Sequence, residues 1–156
     1  MKDIALLKYK DINNDSIIFY REKTKRTSKS DLKPTFVALT DFSKEVISKY
    51  GNKDKSPKNY IFSIISDELD EFTKFRTIKN FIISINKNIK KITNNEELTT
   101  YWARHSFATN ALRNGASMEF VSEALTHSDM KTTQNYFSGF DNKTKKILAD
   151  TLMDFN

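Results

Sequence analysis

Arg104, His127 and Tyr136 follow one another in the last third of the sequence, and their side chains suit phosphate chemistry. An Arg guanidinium presents a planar fork of N–H donors that matches two phosphate oxygens. A His donates a hydrogen bond to a phosphoryl oxygen or moves a proton near neutral pH, and a Tyr phenol can attack phosphorus and hold it covalently. Singly, each is more often an ordinary surface or core residue. In combination they indicate phosphoryl transfer to a tyrosine without a metal or other cofactor.

Helix signals between these residues suggest how they meet. Apolar residues recur at helical spacing over residues 103–112, and Gly115 is suited to end that helix in the left-handed conformation. Ser117 is suited to cap a second helix, and Ser128 or Asp129 to start a third. The Arg then lies near the start of the first helix, the His in the turn after the second and the Tyr on the third. The three side chains can therefore converge on one pocket.

Residues 104–117 and 123–137 resemble the C-terminal half of a tyrosine recombinase of the phage integrase family. In that family an Arg is followed by His-Ser/Thr-Phe-Ala-Thr, then by a His in a Leu-Gly-His-Ser type of turn, and then by the nucleophilic Tyr. Here these positions are Arg104, His127 and Tyr136. The resemblance implies a mainly α catalytic domain with a small antiparallel β-hairpin or sheet, an α+β fold. It also implies double-stranded DNA as substrate, cleaved and rejoined through a 3'-phosphotyrosyl intermediate.

The sequence departs from the family pattern in three places. Tyr101 stands where the family usually has a His before the motif Arg, and its hydroxyl can donate to a phosphate but accepts protons poorly at neutral pH. Thr126 replaces the usual Gly before the turn His, which suggests a different turn geometry. The family's first catalytic Arg precedes a segment like residues 3–7. Residues 1–156 are therefore expected to form a single, N-terminally truncated catalytic domain without the core-binding domain, severely impaired in cleavage on its own.

His105 directly follows the motif Arg. Successive residues on a helix point about 100° apart, so its side chain is expected to leave the site. This predicts a hydrogen-bonded structural role rather than a catalytic one.

Two stretches rich in β-branched and aromatic residues, 16–22 and 35–39, predict a β-hairpin. The polar run between them contains five basic residues: Lys23, Lys25, Arg26, Lys29 and Lys33. By resemblance, the hairpin delivers a Lys to the minor groove, where it protonates the leaving 5' oxygen. Lys23 best fits that position, Lys25 is the alternative, and the other basic residues are expected to bind DNA. A solvated loop that grips phosphates without sequence preference fits equally well.

The strongest helix signal is an apolar stripe within residues 72–92, which predicts a long helix with a core-facing side. Residues 141–153 predict a final helix. By resemblance, that helix docks on a neighbouring protomer of a tetramer assembled on DNA. Packing on its own core is the alternative that the sequence leaves open.

Composition narrows the class of protein. A net charge of +6 and a pI of about 9.4 favour a polyanionic partner. The sequence has no Cys and 2 His, which argues against disulfides and against thiolate or His-based metal sites. No apolar run approaches the roughly 20 residues of a membrane helix, and no secretory signal opens the chain. Together with the resemblance, this suggests a bacterial cytoplasmic protein associated with the nucleoid.

Three functions fit these observations. The chain is a recombinase or integrase catalytic domain, a DNA-binding module without catalysis, or a type IB topoisomerase, whose active site is similar. The residues around the motif Arg and the turn His look more like those of integrases.

Overall fold

The computed structural model describes residues 1–22, 34–127, 129–137, 139 and 142–152. The chain forms two compact units, Met1–Leu98 and Thr99–Asn156. The five basic residues of the predicted DNA-binding loop, Lys23, Lys25, Arg26, Lys29 and Lys33, lie outside the described residues.

The first unit combines helices with a small sheet. Its elements in chain order are α1 (Lys2–Leu6), a 3-10 turn (Tyr9–Asp11), β1 (Ile12–Asn13), β2 (Ser16–Phe19), β3 (Thr35–Ala38), α2 (Asp41–Tyr50) and α3 (Glu71–Thr93). The strands form a three-stranded antiparallel sheet in the order β1-β2-β3. The predicted hairpin between β2 and β3 is therefore present, and β2 ends at Phe19, earlier than the sequence indicates.

β1 adds a third strand to the predicted hairpin, and a tight turn joins it to β2. The turn is confined to Asn14 and Asp15, and Asn14 takes the left-handed φ of 49° that a tight reversal needs. Ile12 then pairs with Ile17, whose side chain is buried, so burial of that one residue fixes the register.

Two small apolar clusters stabilise the first unit. Ile17 packs with Leu7 and Ile61, and Ile78 of α3 packs with Ala5 and Ile65. Each cluster joins segments that are distant in sequence, so the sheet and the long helix depend on α1 and on the loop before α3.

Helix α3 spans 23 residues, and the predicted apolar stripe is buried only at its centre. Ile78 is 5% exposed, whereas Phe72 and Ile92 near the two ends are 72% and 84% exposed. Asp70 caps the helix by accepting a hydrogen bond from the Thr73 N–H at 2.9 Å, and Asn94 ends it with a φ of 49°. The expected core face is thus confirmed for the middle of the helix only.

The second unit is helical: α4 (Thr100–Arg113), α5 (Met118–Ala124), α6 (Met130–Gln134) and α7 (Asn142–Leu152). Gly115, with a φ of 84°, ends α4, and Ser117 caps α5 by accepting from the Phe120 N–H at 3.1 Å, both as the sequence predicts. Asp129 caps α6 by accepting from the Lys131 N–H at 2.9 Å. These caps fix where each short helix begins and where the chain turns between them.

The core of this unit comprises four buried residues: Ala108 and Leu112 of α4, with Val121 and Leu125 from α5 and its end. The mainly helical fold with a small antiparallel sheet confirms the predicted fold class. Within the described ranges, no helix has both the length and the apolar character needed to cross a membrane.

Candidate active site

Tyr136 lies in the turn after α6, not on the helix itself as the sequence predicts, because α6 ends at Gln134. Its N–H donates to the Thr133 carbonyl oxygen at 3.0 Å, a short-range bond typical of a tightened helix end. Its half-buried ring packs against the core of α4 and α5. Both the backbone and the ring of Tyr136 are therefore held in place.

His127 lies parallel to the Tyr136 ring, with ring centroids 6.0 Å apart and an interplanar angle of 6°. The backbone N–H of His127 donates to the Ser122 carbonyl oxygen at 2.9 Å, which fixes the turn after α5. Its Nδ1 is hydrogen-bonded to Thr133 Oγ1 at 2.8 Å, and Thr133 is 0% exposed. A partner on Nδ1 orients the imidazole and so fixes the direction in which Nε2 points.

Thr126 gives the turn before His127 its shape. Its φ of 52° lies in the left-handed region that favours Gly, the residue usual at this position by resemblance. Thr126 is a β-branched residue in a conformation that favours Gly, which costs roughly 1–2 kcal/mol of conformational free energy.

Arg104 lies in the second turn of α4 and reaches the end of α5. Its Nη2 donates to the Leu125 carbonyl oxygen at 2.5 Å, and that same oxygen accepts from Thr126 Oγ1 at 2.7 Å. A guanidinium carries five N–H donors, so one bond to a carbonyl orients the group and leaves other donors for a phosphate.

Tyr101 and His105 complete the cluster around Tyr136. The rings of Tyr101 and His105 meet edge to face with centroids 4.6 Å apart, and the His105 and Tyr136 centroids are 5.1 Å apart. The expectation that the His105 side chain leaves the site did not anticipate this contact. Residues i and i+4 share a helix face, so His105 follows Tyr101 toward Tyr136, which the angle to Arg104 alone did not reveal.

The structure thus brings Tyr101, Arg104, His127 and Tyr136 together, and residues 1–143 match the phage integrase family. The chain belongs to this family. The family match covers most of the chain and includes every one of these four residues.

Individual members of the family show similarity over shorter segments. The tyrosine recombinase XerD of Lacticaseibacillus casei is 36% identical over 84 residues, which are 54% of this chain and 26% of that protein. The tyrosine recombinase XerD of Rickettsia prowazekii is 35% identical over 106 residues, which are 67% of this chain and 32% of that protein. The aligned segments therefore span less than half the length of these relatives.

A crystal structure of XerA recombinase shares the fold. It superposes with a TM-score of 0.61 at 22% identity, over 95% of this chain and 51% of that chain. At this level of identity the similarity concerns the arrangement of helices and strands.

The surroundings of Tyr136 raise the pKa of its phenol above the ordinary value. Partial burial raises the pKa of Tyr136, and its interaction with the Tyr101 hydroxyl raises that pKa further. The positive charge of Arg104 acts in the opposite direction and lowers it. Attack by Tyr136 on an electrophile therefore requires a neighbouring group that accepts its proton.

Thr133 and His105 contact the predicted site residues, although the sequence alone assigned neither of them to the site. His105 was recognisable from its position four residues after Tyr101, but Thr133 carries no local signal that distinguishes it from its neighbour Thr132. Among the residues that the structure describes, no group of three or more His, Cys, Asp or Glu side chains is placed to hold a metal ion.

Proposed function

We propose that this chain carries catalytic groups of a site-specific DNA recombinase, which cleaves and rejoins DNA through a covalent 3'-phosphotyrosine on Tyr136. The observation that supports this most is that the Tyr136 ring lies parallel to the His127 ring and that the Tyr136 phenol interacts with Arg104. The chain that holds these side chains together belongs to the phage integrase family. The family membership favours a recombinase over a topoisomerase or a DNA-binding module without catalysis.

In the proposed reaction, the Tyr136 hydroxyl oxygen attacks the scissile phosphorus. A bond from phosphorus to the Tyr oxygen forms, and the bond from phosphorus to the 5' oxygen breaks. Arg104, His127 and Tyr101 donate hydrogen bonds to the phosphate oxygens, where negative charge develops. Lys23, or alternatively Lys25, protonates the leaving 5' oxygen. Attack by a 5' hydroxyl reverses the steps, so the phosphotyrosine bond conserves the energy needed for rejoining.

The partner in this proposal is double-stranded DNA, with Lys25, Arg26, Lys29 and Lys33 contacting its phosphates. The net charge of +6 supports a polyanionic partner. Binding is expected to weaken as salt rises, because Lys and Arg contacts to phosphates release counterions. We further propose that recombination takes place in a homotetramer joined through α7 and located in the bacterial cytoplasm on the nucleoid.

Trapping the covalent intermediate tests the proposal. The full chain is incubated with a pool of duplexes that tile the DNA flanking its gene, each nicked so that cleavage releases a short fragment and prevents rejoining. An adduct that resists SDS is expected, with the DNA mapped to Tyr136 by mass spectrometry. Adducts are collected over hours, so that slow cleavage is also detected.

The matched control replaces a different tyrosine. Tyr136→Phe is expected to abolish the adduct, whereas Tyr50→Phe, at an exposed position of α2, is expected to preserve it. DNA binding without any adduct in the unmodified chain would support the DNA-binding module instead. An adduct that survives Tyr136→Phe would show that another residue is the nucleophile.

A further inference from the structure

We propose that His105 accepts the proton of the Tyr136 hydroxyl during attack, an inference that rests on the proposed recombinase function. The contact of the two rings, with centroids 5.1 Å apart, supports this assignment. It adds a catalytic role to a residue that the sequence pattern alone assigns to structure.

The chain offers few groups for this role. It contains 2 His, and both of them lie against the Tyr136 ring. A neutral phenol such as that of Tyr101 and the guanidinium of Arg104 accept protons poorly at neutral pH, whereas an imidazole accepts one readily. Among the described side chains at Tyr136, the imidazoles of His105 and His127 are therefore the candidates for the acceptor.

The environments of the two histidines differ in a way that separates their roles. Thr133 engages His127 Nδ1 at 2.8 Å, and the His127 ring is stacked parallel to Tyr136. This fixed ring is suited to donate a hydrogen bond to a phosphate oxygen from Nε2. His105 instead approaches Tyr136 with its ring tilted by 57°, and its ring meets that of Tyr101 edge to face. The two histidines therefore contact Tyr136 in different ways, which fits the phosphate contact to His127 and leaves proton acceptance to His105.

Helix geometry holds His105 in this position. It lies one turn after Tyr101 on the same face of α4, so the two rings pack along the helix. In the described part of the chain, the ionisable groups whose rings contact it are Tyr101 from α4 and Tyr136 from the turn after α6. Arg104 precedes it on the helix.

The proton balance of the step is complete. As the bond from the Tyr136 oxygen to phosphorus forms, the phenol proton moves to a His105 nitrogen and yields an imidazolium. The 5' oxygen leaves with a proton from the general acid of the proposed reaction. During rejoining, His105 returns its proton to the departing Tyr136 oxygen, which restores the neutral imidazole and the phenol. No oxidant, reductant or metal takes part.

The test measures the single-turnover rate of adduct formation against pH for the full chain and for His105→Gln. The rate of the unmodified chain is expected to level off as the pH rises, because an imidazole acceptor acts in its neutral form. His105→Gln is expected to react about 10² to 10⁴ times more slowly near neutral pH, with a rate that keeps rising toward the phenol pKa. Imidazole added to His105→Ala is expected to restore part of the rate.

A modified substrate distinguishes two possible roles of His105, namely activation of the Tyr136 nucleophile and protonation of the leaving group. A duplex with sulfur in place of the bridging 5' oxygen releases a thiolate, which needs no general acid. Loss of His105 is expected to slow cleavage of this duplex as strongly as cleavage of ordinary DNA, because the acceptor acts on Tyr136. A defect that disappears with the sulfur substrate would overturn the assignment and place His105 on the leaving-group side.

The outcomes distinguish this inference from the function on which it rests. An adduct that forms at an unchanged rate and with an unchanged pH profile in His105→Gln overturns the role of His105 and leaves the recombinase proposal intact. Absence of an adduct in the unmodified chain overturns both. If His105→Gln fails to fold, His105→Phe, which keeps an aromatic ring between Tyr101 and Tyr136, supplies the same pH comparison.

Discussion

Helix α3 and the segment from α4 to α6 illustrate two ways in which a sequence builds helices. α3 has the longest apolar stripe of the chain, yet only Ile78 of that stripe is buried, and it carries none of the candidate catalytic groups. The three shorter helices have weaker patterns, but they enclose one core and present Tyr101, Arg104, His105 and Thr133 around a single tyrosine. The periodicity of apolar residues thus predicts a helix well, whereas the geometry of a site depends on the caps of short helices and on the turns that connect them.

Replacing one Arg by Lys in each of the two regions should give the largest difference in the rate of adduct formation. Arg104→Lys keeps the positive charge but loses the planar guanidinium, whose Nη2 donates to the Leu125 carbonyl oxygen. It also loses the paired N–H donors that match two oxygens of a phosphate. We expect adduct formation to slow by about 10² to 10³. The control Arg76→Lys, at an exposed position of α3, is expected to change the rate little. Single-turnover adduct rates measure both, and an equal loss in the two variants would contradict a special role for Arg104.

Truncating apolar residues of α3 tests how much of its stripe matters. Ile78→Ala removes the one buried residue and is expected to destabilise the first unit by about 2–5 kcal/mol. Phe72→Ala, at a position that is 72% exposed, is expected to change stability by no more than about 0.5 kcal/mol. Urea unfolding followed by circular dichroism measures both. A large loss from Phe72→Ala would show that the exposed end of the helix packs against something in solution.

Removing one hydroxyl tests whether the buried polar contact in the second unit serves the site. Thr133→Val keeps the shape of the side chain but loses the bond to His127 Nδ1, and we expect about fivefold slower adduct formation, since such a bond contributes about 1 kcal/mol. Thr133→Ser retains the hydroxyl and should restore most of the rate. Equal rates for the Val and Ser variants would show that the contact does not orient His127.

Relieving strain in the turn before His127 should have the smallest effect. Thr126 holds a φ of 52°, so Thr126→Gly removes a cost of roughly 1–2 kcal/mol and adds back about 0.5–1 kcal/mol in chain entropy. We expect a rise of a few degrees at most in the Tm of the second unit. Thr126→Ala, which keeps a Cβ and, like Thr126→Gly, loses the hydroxyl bond to the Leu125 carbonyl oxygen, should have a lower Tm than the Gly variant in differential scanning calorimetry. A lower Tm for the Gly variant would argue against strain in this turn.

Local signals account for much of the fold. Ser117 begins a helix and Gly115 ends one where their chemistry predicts, because capping depends on a few adjacent residues. The antiparallel hairpin and the final helix are likewise confirmed. Strand β1 has no comparable local signal, because its pairing with Ile17 depends on the buried partner rather than on adjacent residues.

For the candidate site, too, some features follow from the sequence and others do not. The types and order of Arg104, His127 and Tyr136 are enough to indicate phosphate chemistry, because guanidinium, imidazole and phenol have intrinsic donor and nucleophile properties. The roles of Lys23 and Lys25 stay predictions, since both lie outside the described residues.

The sequence by itself determined which chemical groups the chain possesses and where most of its helices begin and end, because those properties depend on side chains and their immediate neighbours. Only the tertiary structure decided that Thr133 engages His127, that His105 lies against Tyr136, and that α3 buries only the centre of its stripe. These contacts join residues through turns and packing surfaces, and their geometry follows from the whole fold rather than from any local pattern.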